Sequence, residues 1–499
     1  MKPASSITRD SLKGSHGSAP RGARMPALRR LAAHTAFACA SLASASAFAQ
    51  ATDAQPEAPE ADLKIQAQPT DQWTGLWTRQ NLLGDIGGLR PWLNRYGVTF
   101  NLQETSEYLY NTRGGLGTGG AYDGLTTMSL QVDTQKAIGL PGGTFNISAL
   151  QIHGTNLSTR YLGTLNTASG IEAQGTTRLW EMWYQQSFLD KKVDVKVGQQ
   201  SLDQEFMVSS YAGTFVNTMF GWPGLPSYDM PNGGPAYPLS ALGVRVRTQI
   251  TPSVTALAGV FDGNPLGNDQ NNLSGTNFNL HNGALYIGEV QYAINQPGDG
   301  AMELPGAAKS RSGGLPGTYK IGLWYNNETF ADQGIDNTGL SLADPNTTGT
   351  PASHKGDYSF YAVADQMVWR PDPDEPRSIG VFARVMGAPG DRNEVSFSAN
   401  AGVVMKAPFK GRDNDSVGLG LAYIKVGNHL SNFDAAQGLV PRSSETALEA
   451  TYQYQVTPWW QLQGDVQYTF NPGAGQNPSN PSQGMRNTLV VGLRTNITF

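Results

Sequence analysis

Charged and aromatic side chains recur two positions apart in this chain, a spacing that places both on one face of a β-strand. Arg245 with Arg247 is one such pair, and Glu181 with Trp183 is another. A face of this kind offers hydrogen-bonding charges beside an aromatic surface, which suits the binding of a polar solute. The candidate site residues are Arg245, Arg247, Glu181, Trp183, Glu107, Asp194 and Lys196.

Catalytic chemistry finds little support in the sequence. Beyond residue 49 the only histidines are His153, His281, His354 and His429, which are far apart in the chain. No grouping of Ser, His and an acid stands out, and no metal-ligand spacing does either. The sequence therefore predicts no enzyme, no metal site and no cofactor.

Residues 1–49 have the character of a secretory signal peptide. A basic region precedes an apolar, alanine-rich stretch over 31–48, which ends in the small-x-small pattern of residues 47–49. A start at Met25 would give a more compact signal, and the sequence leaves both starts open. The single cysteine, Cys39, lies inside this stretch, so we expect the exported chain to have neither a thiol nor a disulfide.

The charge of the chain changes when the signal is removed. Residues 1–49 hold seven of the 35 basic residues and one of the 40 acidic residues, so the net charge moves from −5 to −11. This acidic balance argues against a nucleic-acid partner.

Two segments precede the repeating part of the chain. Residues 50–72 are rich in Ala, Pro, Gln and acids, which predicts a disordered leader. Over 73–96 apolar residues fall at helical spacings that Gly87-Gly88 and Pro91 interrupt. We expect short helical segments here, outside the main fold and on its periplasmic side.

Sixteen strand-like segments follow, and most have the 9–13 residues that a tilted strand needs to cross a bilayer. Several alternate between apolar and polar residues, as 460–470 does. The segments span 98–110, 125–135, 144–153, 178–188, 193–202, 241–250, 254–261, 284–294, 318–328, 357–369, 378–386, 395–405, 416–426, 445–456, 460–470 and 488–499.

The connections between these segments alternate in length. Those after even-numbered segments are mostly short turns, and those after odd-numbered segments are mostly long; the short 387–394 and the long 295–317 are exceptions. Short turns on one rim and long loops on the other are typical of a bacterial outer-membrane barrel. The sequence predicts an all-β fold, a sixteen-stranded antiparallel transmembrane β-barrel over 97–499, with both termini on the periplasmic rim.

The longest connection, 203–240, carries many apolar residues, including Phe206, Phe215, Phe220 and Trp222. A loop left in water would expose too much apolar surface, so we expect it to fold into the lumen. The alternative is a lid over the rim. Aromatic residues near strand ends, among them Trp180 and Trp324, are expected to lie at the membrane interfaces.

The last segment alternates up to a terminal aromatic residue, Phe499. This pattern is similar to the closing strand of outer-membrane barrels, which the barrel assembly machinery reads. We therefore expect Phe499 to serve as the assembly signal and to lie beside the first strand.

Specific stretches resemble the carbohydrate-selective porin family, known as OprB-type, from about residue 73 to the end. The stretches include Leu83-Gly84-Asp85-Ile86-Gly87-Gly88-Leu89-Arg90, Trp180-Glu181-Met182-Trp183-Tyr184-Gln185-Gln186, Tyr237-Pro238-Leu239-Ser240-Ala241-Leu242-Gly243-Val244-Arg245, Tyr452-Gln453-Tyr454-Gln455-Val456-Thr457-Pro458-Trp459 and Val491-Gly492-Leu493-Arg494. The resemblance implies a barrel that passes sugars such as glucose by diffusion, without energy input. The candidate site residues would then line its constriction.

The expected partners of the chain are small-molecule sugars, outer-membrane lipid and lipopolysaccharide, and the barrel assembly machinery. Self-association is left open. A general-diffusion porin for small hydrophilic solutes is the alternative within the channel class. An exported β-sandwich or solenoid that binds glycans is the alternative outside it.

Overall fold

The computed structural model describes residues 75–267, 272–296, 314–373 and 375–499. The signal peptide expected at 1–49 and the leader expected at 50–72 lie outside these residues, as do 297–313 of the long 295–317 connection.

Eighteen strands occur in the described residues. The alternating segments form strands that pair with their neighbours along the chain. They are β1 Val98–Arg113, β2 Gly119–Asp133, β3 Gly143–Gly154, β4 Thr176–Phe188, β5 Val193–Gln200, β6 Ala241–Thr251, β7 Val254–Asp262, β8 Ala284–Ile294, β9 Gly317–Asp336, β10 Pro351–Trp369, β11 Ser378–Gly387, β12 Val395–Lys406, β13 Ser416–Val426, β14 Ser444–Thr457, β15 Trp460–Phe470, β16 Gln476–Asn477, β17 Asn480–Gly484 and β18 Thr488–Thr498.

Sixteen of these strands, β1–β15 and β18, form one closed antiparallel barrel. The last strand closes the barrel against the first, with Gln103 opposite Thr498 and Glu107 opposite Arg494. The short β16 and β17 form a separate hairpin in the last long connection. The predicted sixteen-stranded antiparallel barrel is confirmed, and closure leaves no unpaired sheet edge in it.

The two faces of the barrel wall differ in polarity, as the alternation predicts. In β14 the inward Glu445, Glu449 and Gln453 are buried, whereas the outward Tyr454 is 42% exposed. In β6 the outward Val244, Val246 and Ile250 are likewise exposed. The exposed apolar residues form the surface that faces lipid, and the inward polar residues are available to bind what lies in the lumen.

Helical structure is limited to short pieces. The helices are α1 Leu89–Arg95, α2 Thr134–Ile138, α3 Gly224–Asp229 and α4 Asn428–Ala436, with shorter helical turns at Ser158–Leu162, Leu202–Gln204, Ala212–Thr214, Thr218–Phe220, Pro231–Gly233 and Pro472–Gly475. Within the described ranges, no helix is long and apolar enough to cross a membrane. In the described part of the segment expected to be helical at 73–96, α1 is the helix, and residues 75–88 form turns and bends.

The hairpin of β9 and β10 is much longer than the sequence predicts. β9 has 20 residues and β10 has 19, so half of the loop expected at 329–356 is strand. A tilted strand needs only about ten residues to cross the bilayer core, so this hairpin extends beyond it. No lipid contacts the hairpin beyond the bilayer core, so apolar and polar residues no longer alternate there. The alternation used to predict the strands therefore does not reach the ends of β9 and β10.

Two tryptophans expected at the membrane interface are buried instead. Trp324 has no exposed side-chain surface, and Trp180 is 6% exposed. The indole of Trp180 packs edge-on against Tyr237, with ring centroids 6.5 Å apart. The expectation of lipid contact was wrong for both residues because they lie on the inward face, under loop side chains.

Candidate functional site

Two connections pack against the inward face of the barrel wall: loop A, residues 155–175, and loop B, residues 201–240. Loop B contributes Phe206, Phe215 and Phe220, which are at most 6% exposed. Phe215 stacks on Phe220 at 4.4 Å, and Phe382 of β11 lies 5.7 Å from Phe215. This aromatic cluster fixes the middle of loop B against the wall.

Glycines of β13 make room for the aromatic cluster. A Cβ at Gly418 would lie 2.9 Å from the Phe215 ring, and a Cβ at Gly420 would lie 2.7 Å from the Phe220 ring. Both distances are too short for ordinary contact, so only glycine lets loop B approach this closely.

A buried arginine of the wall binds the backbone of loop B. Arg384 of β11 is 1% exposed and donates to four carbonyl oxygens. The acceptors are Met207 at 2.7 Å, Met219 at 2.6 Å, Phe220 at 3.0 Å and Gly221 at 2.9 Å. One guanidinium therefore fixes both ends of the segment 207–221, a role that the sequence did not reveal.

Carboxylates of the wall bind the amide groups of the two loops. Glu449 accepts hydrogen bonds from the N–H groups of Val216 and Asn217 at 2.6 and 2.9 Å. Asp365 accepts from Ser209 Oγ at 2.6 Å. Glu445 holds loop A in the same way, through the N–H of Leu165 at 2.8 Å. The inward charges of β10 and β14 thus bind loop backbone rather than open water.

Six of the seven predicted site residues lie together where β4, β5 and β6 meet the start of loop B. Arg245 forms ion pairs with Asp194 and with Glu205, whose Oε2 lies 2.5 Å from Arg245 Nε. Lys196 also pairs with Glu205. The two cations lower the pKa of Glu205 to about 2, although its burial alone would raise it.

The remaining members of this cluster surround one aromatic ring. The Lys196 ammonium lies 4.3 Å from the centroid of the Trp183 ring, a cation–π distance. Trp183 Nε1 donates to Glu181 at 3.3 Å, and Glu181 accepts the N–H of Ser201 at 2.9 Å. Glu181 therefore fixes the first residue of loop B.

The two predicted arginines differ in exposure and in pairing. The Arg245 side chain is 3% exposed and is held by two carboxylates. The Arg247 side chain is 31% exposed and has one longer contact, 3.3 Å to Asp194. Arg245 thus positions loop B. Arg247 retains guanidinium N–H groups that can donate to a solute.

Glu107, the seventh predicted residue, lies in a different group. Its carboxylate accepts from Arg494 Nε of β18 at 2.7 Å. Arg494 also donates to Ser169 of loop A at 2.9 Å. Alternation predicted that Glu107 points inward, but only the pairing of β1 with β18 shows which residue it meets.

Loop A adds a titratable residue that the sequence analysis missed, because a loop has no period to reveal it. Glu172 accepts hydrogen bonds from the N–H and Oγ of Ser158 at 3.1 and 2.9 Å. Burial raises the pKa of Glu172 to about 8, and the carboxylates of Asp123 and Glu107 also raise it, while Ser158 acts in the opposite direction. Tyr237 of loop B lies near the same carboxylates and donates to the carbonyl oxygen of Ile171 at 2.9 Å.

We expect the ion selectivity of the lumen to change with the ionisation of Glu172. Between about pH 7 and pH 9 this carboxyl loses its proton, so the preference for cations over anions should rise about twofold. Since its pKa is raised from 4.5, its contribution to stability is full below about pH 4.5 and is lost as the pH rises through about 8. Reversal potentials in a salt gradient, recorded across this range, measure the first effect.

The Glu172→Gln variant should show no such step in selectivity. Glu375→Gln removes an exposed carboxylate from a short turn and serves as the matched control, which should titrate like the unmodified chain. A step that persists in Glu172→Gln would assign the titration to another group.

Comparison with known proteins supports the assignment of the fold and the family. The family model for the carbohydrate-selective porin, OprB family, matches residues 117–499. Porin B of Pseudomonas aeruginosa is 26% identical over 450 residues, covering 84% of this chain and 91% of that protein. The high-pH structure of Pseudomonas putida OprB shares the fold, with a TM-score of 0.74, 24% identity and coverage of 85% of this chain and 99% of that one. The chain belongs to the OprB family of carbohydrate-selective porins, and it is a sugar channel of the bacterial outer membrane.

Proposed function

We propose that this channel passes neutral monosaccharides such as glucose selectively and by diffusion, and that Trp183 and Arg247 contact the sugar. The observation that carries the proposal is the ion cluster around Trp183 at the base of loop B. It places the Trp183 ring 4.3 Å from the Lys196 ammonium, and the partly exposed Arg247 guanidinium lies on the same inward wall two strands away. A sugar has apolar C–H faces and a rim of hydroxyl groups, so the ring and the guanidinium can each contact a sugar that passes along this wall.

The other predicted residues support this pair in the proposal rather than contact the sugar. Asp194, Lys196 and Arg245 neutralise one another and Glu205, each with at most 15% of its side chain exposed. Glu181 fixes the start of loop B. A rigid loop sets the width of the passage, so these groups would act on selectivity through geometry.

Liposome swelling tests the proposed selectivity against general diffusion. Vesicles containing the protein are mixed with glucose, with a disaccharide, or with a zwitterion of similar size to glucose. Selective transport predicts faster uptake of glucose than of the zwitterion, and slower uptake of the disaccharide. Equal rates for glucose and the zwitterion would instead indicate a general-diffusion porin.

We expect the double variant Trp183→Ala with Arg247→Ala to weaken glucose binding about tenfold, because it removes roughly 1.4 kcal/mol of stacking and hydrogen bonding. The concentration of glucose that blocks half of the single-channel current measures this. Trp369→Ala with Arg486→Ala makes the same truncations at exposed positions as a control. An unchanged half-blocking concentration would remove both residues from the sugar path.

Contacts with lipopolysaccharide, with the assembly machinery and with further copies of the chain are part of the same proposal. The exposed apolar outer surface supports a lipid environment. Gel mobility with and without heating, and the mass of the detergent-extracted protein, test assembly and self-association.

A further inference from the structure

A cavity of about 510 Å³ opens on the barrel rim opposite the termini, away from the ion cluster at Trp183. Four elements enclose it: the α3 end of loop B, the β7–β8 connection, the upper part of β9 and the β11–β12 connection. Its wall includes Asn232, Asn264, Asn282, Glu328, Tyr228 and Phe330. The volume lies within the range of small-molecule sites, which is roughly 300–1,000 Å³.

Carboxylates with unused hydrogen-bonding capacity line this cavity. Asp229 is 5% exposed, and its Oδ1 accepts the N–H of Val395 at 3.1 Å. Its Oδ2 has no hydrogen-bond partner among the described residues. The Glu328 carboxylate also lines the cavity. A buried carboxylate oxygen without a donor is costly, so a ligand that donates hydrogen bonds would stabilise it.

The wall disfavours anionic ligands, because Asp229, Glu328 and Glu394 are acidic. The guanidinium of Arg392 is already held by Asp391 at 2.8 and 3.0 Å and by the Gly356 carbonyl oxygen at 2.8 Å. No group of His, Cys, Asp and Glu in the described ranges has the arrangement that holds a metal ion.

The wall fits a neutral ligand that is rich in hydroxyl groups. Carboxylate and carboxamide oxygens accept from hydroxyls, carboxamide N–H groups donate to them, and Tyr228 and Phe330 offer ring surface to C–H groups. Asn232 Nδ2 donates to Asn264 Oδ1 at 2.7 Å, which joins loop B to the β7–β8 connection at this point. Near its start, loop B contacts Arg245 through the Glu205 carboxylate.

We propose that this rim cavity is a first binding site for neutral sugars, which captures them before they reach the passage at Trp183. The inference rests on the proposed function, since it names an additional site on the same sugar path. Loop B borders both sites, so one loop connects the rim cavity with the inner passage. Capture at the rim raises the local sugar concentration when the outside concentration is low.

Current block in planar bilayers tests the proposal, with glucose added on the side of the long loops. The variant Glu328→Ala with Asn232→Ala should raise the half-blocking glucose concentration at least about fivefold, corresponding to one or two lost hydrogen bonds. Glu328→Trp fills the cavity without removing the Asn232 contact, and should raise it as much. The control Asn480→Ala with Gln437→Ala changes exposed polar residues of other long loops and should leave the value unchanged.

The comparison with Trp183→Ala and Arg247→Ala separates the two proposals. If both cavity variants match the unmodified chain while the inner variant weakens the block, the rim site is overturned and the inner passage stands. If only the cavity variants weaken the block, the rim site stands and the role of the inner pair is overturned. If glucose does not block the unmodified channel, both fail.

Discussion

Replacing Arg384 with alanine is expected to release loop B from the wall and to widen the channel. The guanidinium is buried and donates to four loop carbonyl oxygens, so the variant leaves those of Met207, Phe220 and Gly221 without this donor. The fourth, of Met219, keeps its hydrogen bond from Asn400 Nδ2 at 2.6 Å. Hydrogen bonds to a charged group contribute about 1.5–3 kcal/mol each, and their joint loss should cost on the order of 3–5 kcal/mol. That is enough to populate arrangements in which segment 207–221 leaves the wall.

Single-channel recording and liposome swelling measure the result. We expect the open-channel conductance to rise about twofold or more and the discrimination between monosaccharide and disaccharide to disappear, since pore width sets both. The barrel itself should still form, because the sixteen-strand pairing does not involve this side chain. Heat-modifiable mobility on gels therefore serves as the check on folding.

Arg486→Ala is the matched control, since it removes an exposed arginine near the last strand. Its conductance and selectivity should equal those of the unmodified channel. An Arg384→Ala channel with unchanged disaccharide exclusion would show that the aromatic cluster and the carboxylates of Glu449 and Asp365 hold loop B without the four hydrogen bonds.

The barrel could be predicted from the sequence because lipid imposes a period of two on every crossing strand. Each of the sixteen predicted segments corresponds to a barrel strand, and the largest differences fall where β9 and β10 extend past the membrane. The same period correctly identified Arg245 and Arg247 as inward. It could not show that Arg245 is neutralised, since Glu205 reaches it from a loop.

Alternation shows whether a side chain points into the barrel or out of it. It shows neither the position of the side chain along the barrel axis nor its neighbours. Glu107 and Arg245 both point inward, yet one pairs with β18 and the other with loop B. Arg384 is a further inward arginine on an alternating strand, and its role depends on loop carbonyl positions that no sequence pattern specifies.

The assignment of Trp324 failed for a reason that the sequence contains, and that of Trp180 for one that it does not. Trp324 and Tyr325 are adjacent, so only one of them can face lipid. Tyr325 is 37% exposed and Trp324 is fully buried. A bulge at Trp180 places it on the inward face together with Glu181, and a bulge changes the alternation without a sequence signal.

Deleting Phe499 is expected to lower the amount of assembled barrel about fivefold or more, because this residue completes the pairing of the first and last strands. Its N–H donates to the Leu102 carbonyl oxygen at 2.8 Å, and its own carbonyl oxygen accepts from Arg90. The N-terminal segment contacts the same rim, since the N–H of Leu82 donates to the Thr498 carbonyl oxygen at 2.8 Å. Heat-modifiable protein in the outer-membrane fraction measures assembly.

Two further variants separate recognition during assembly from stability afterwards. Phe499→Ala keeps the backbone contacts, so a low yield of barrels with normal heat resistance would assign the terminal ring to recognition by the assembly machinery. Arg90→Ala keeps the ring and removes a contact to the terminal carbonyl group, so we expect normal yield and a lower unfolding temperature. If all three variants assemble and resist heat like the unmodified chain, neither the ring nor the rim contacts govern closure, and the β1–β18 pairing from Gln103 to Arg113 is sufficient alone.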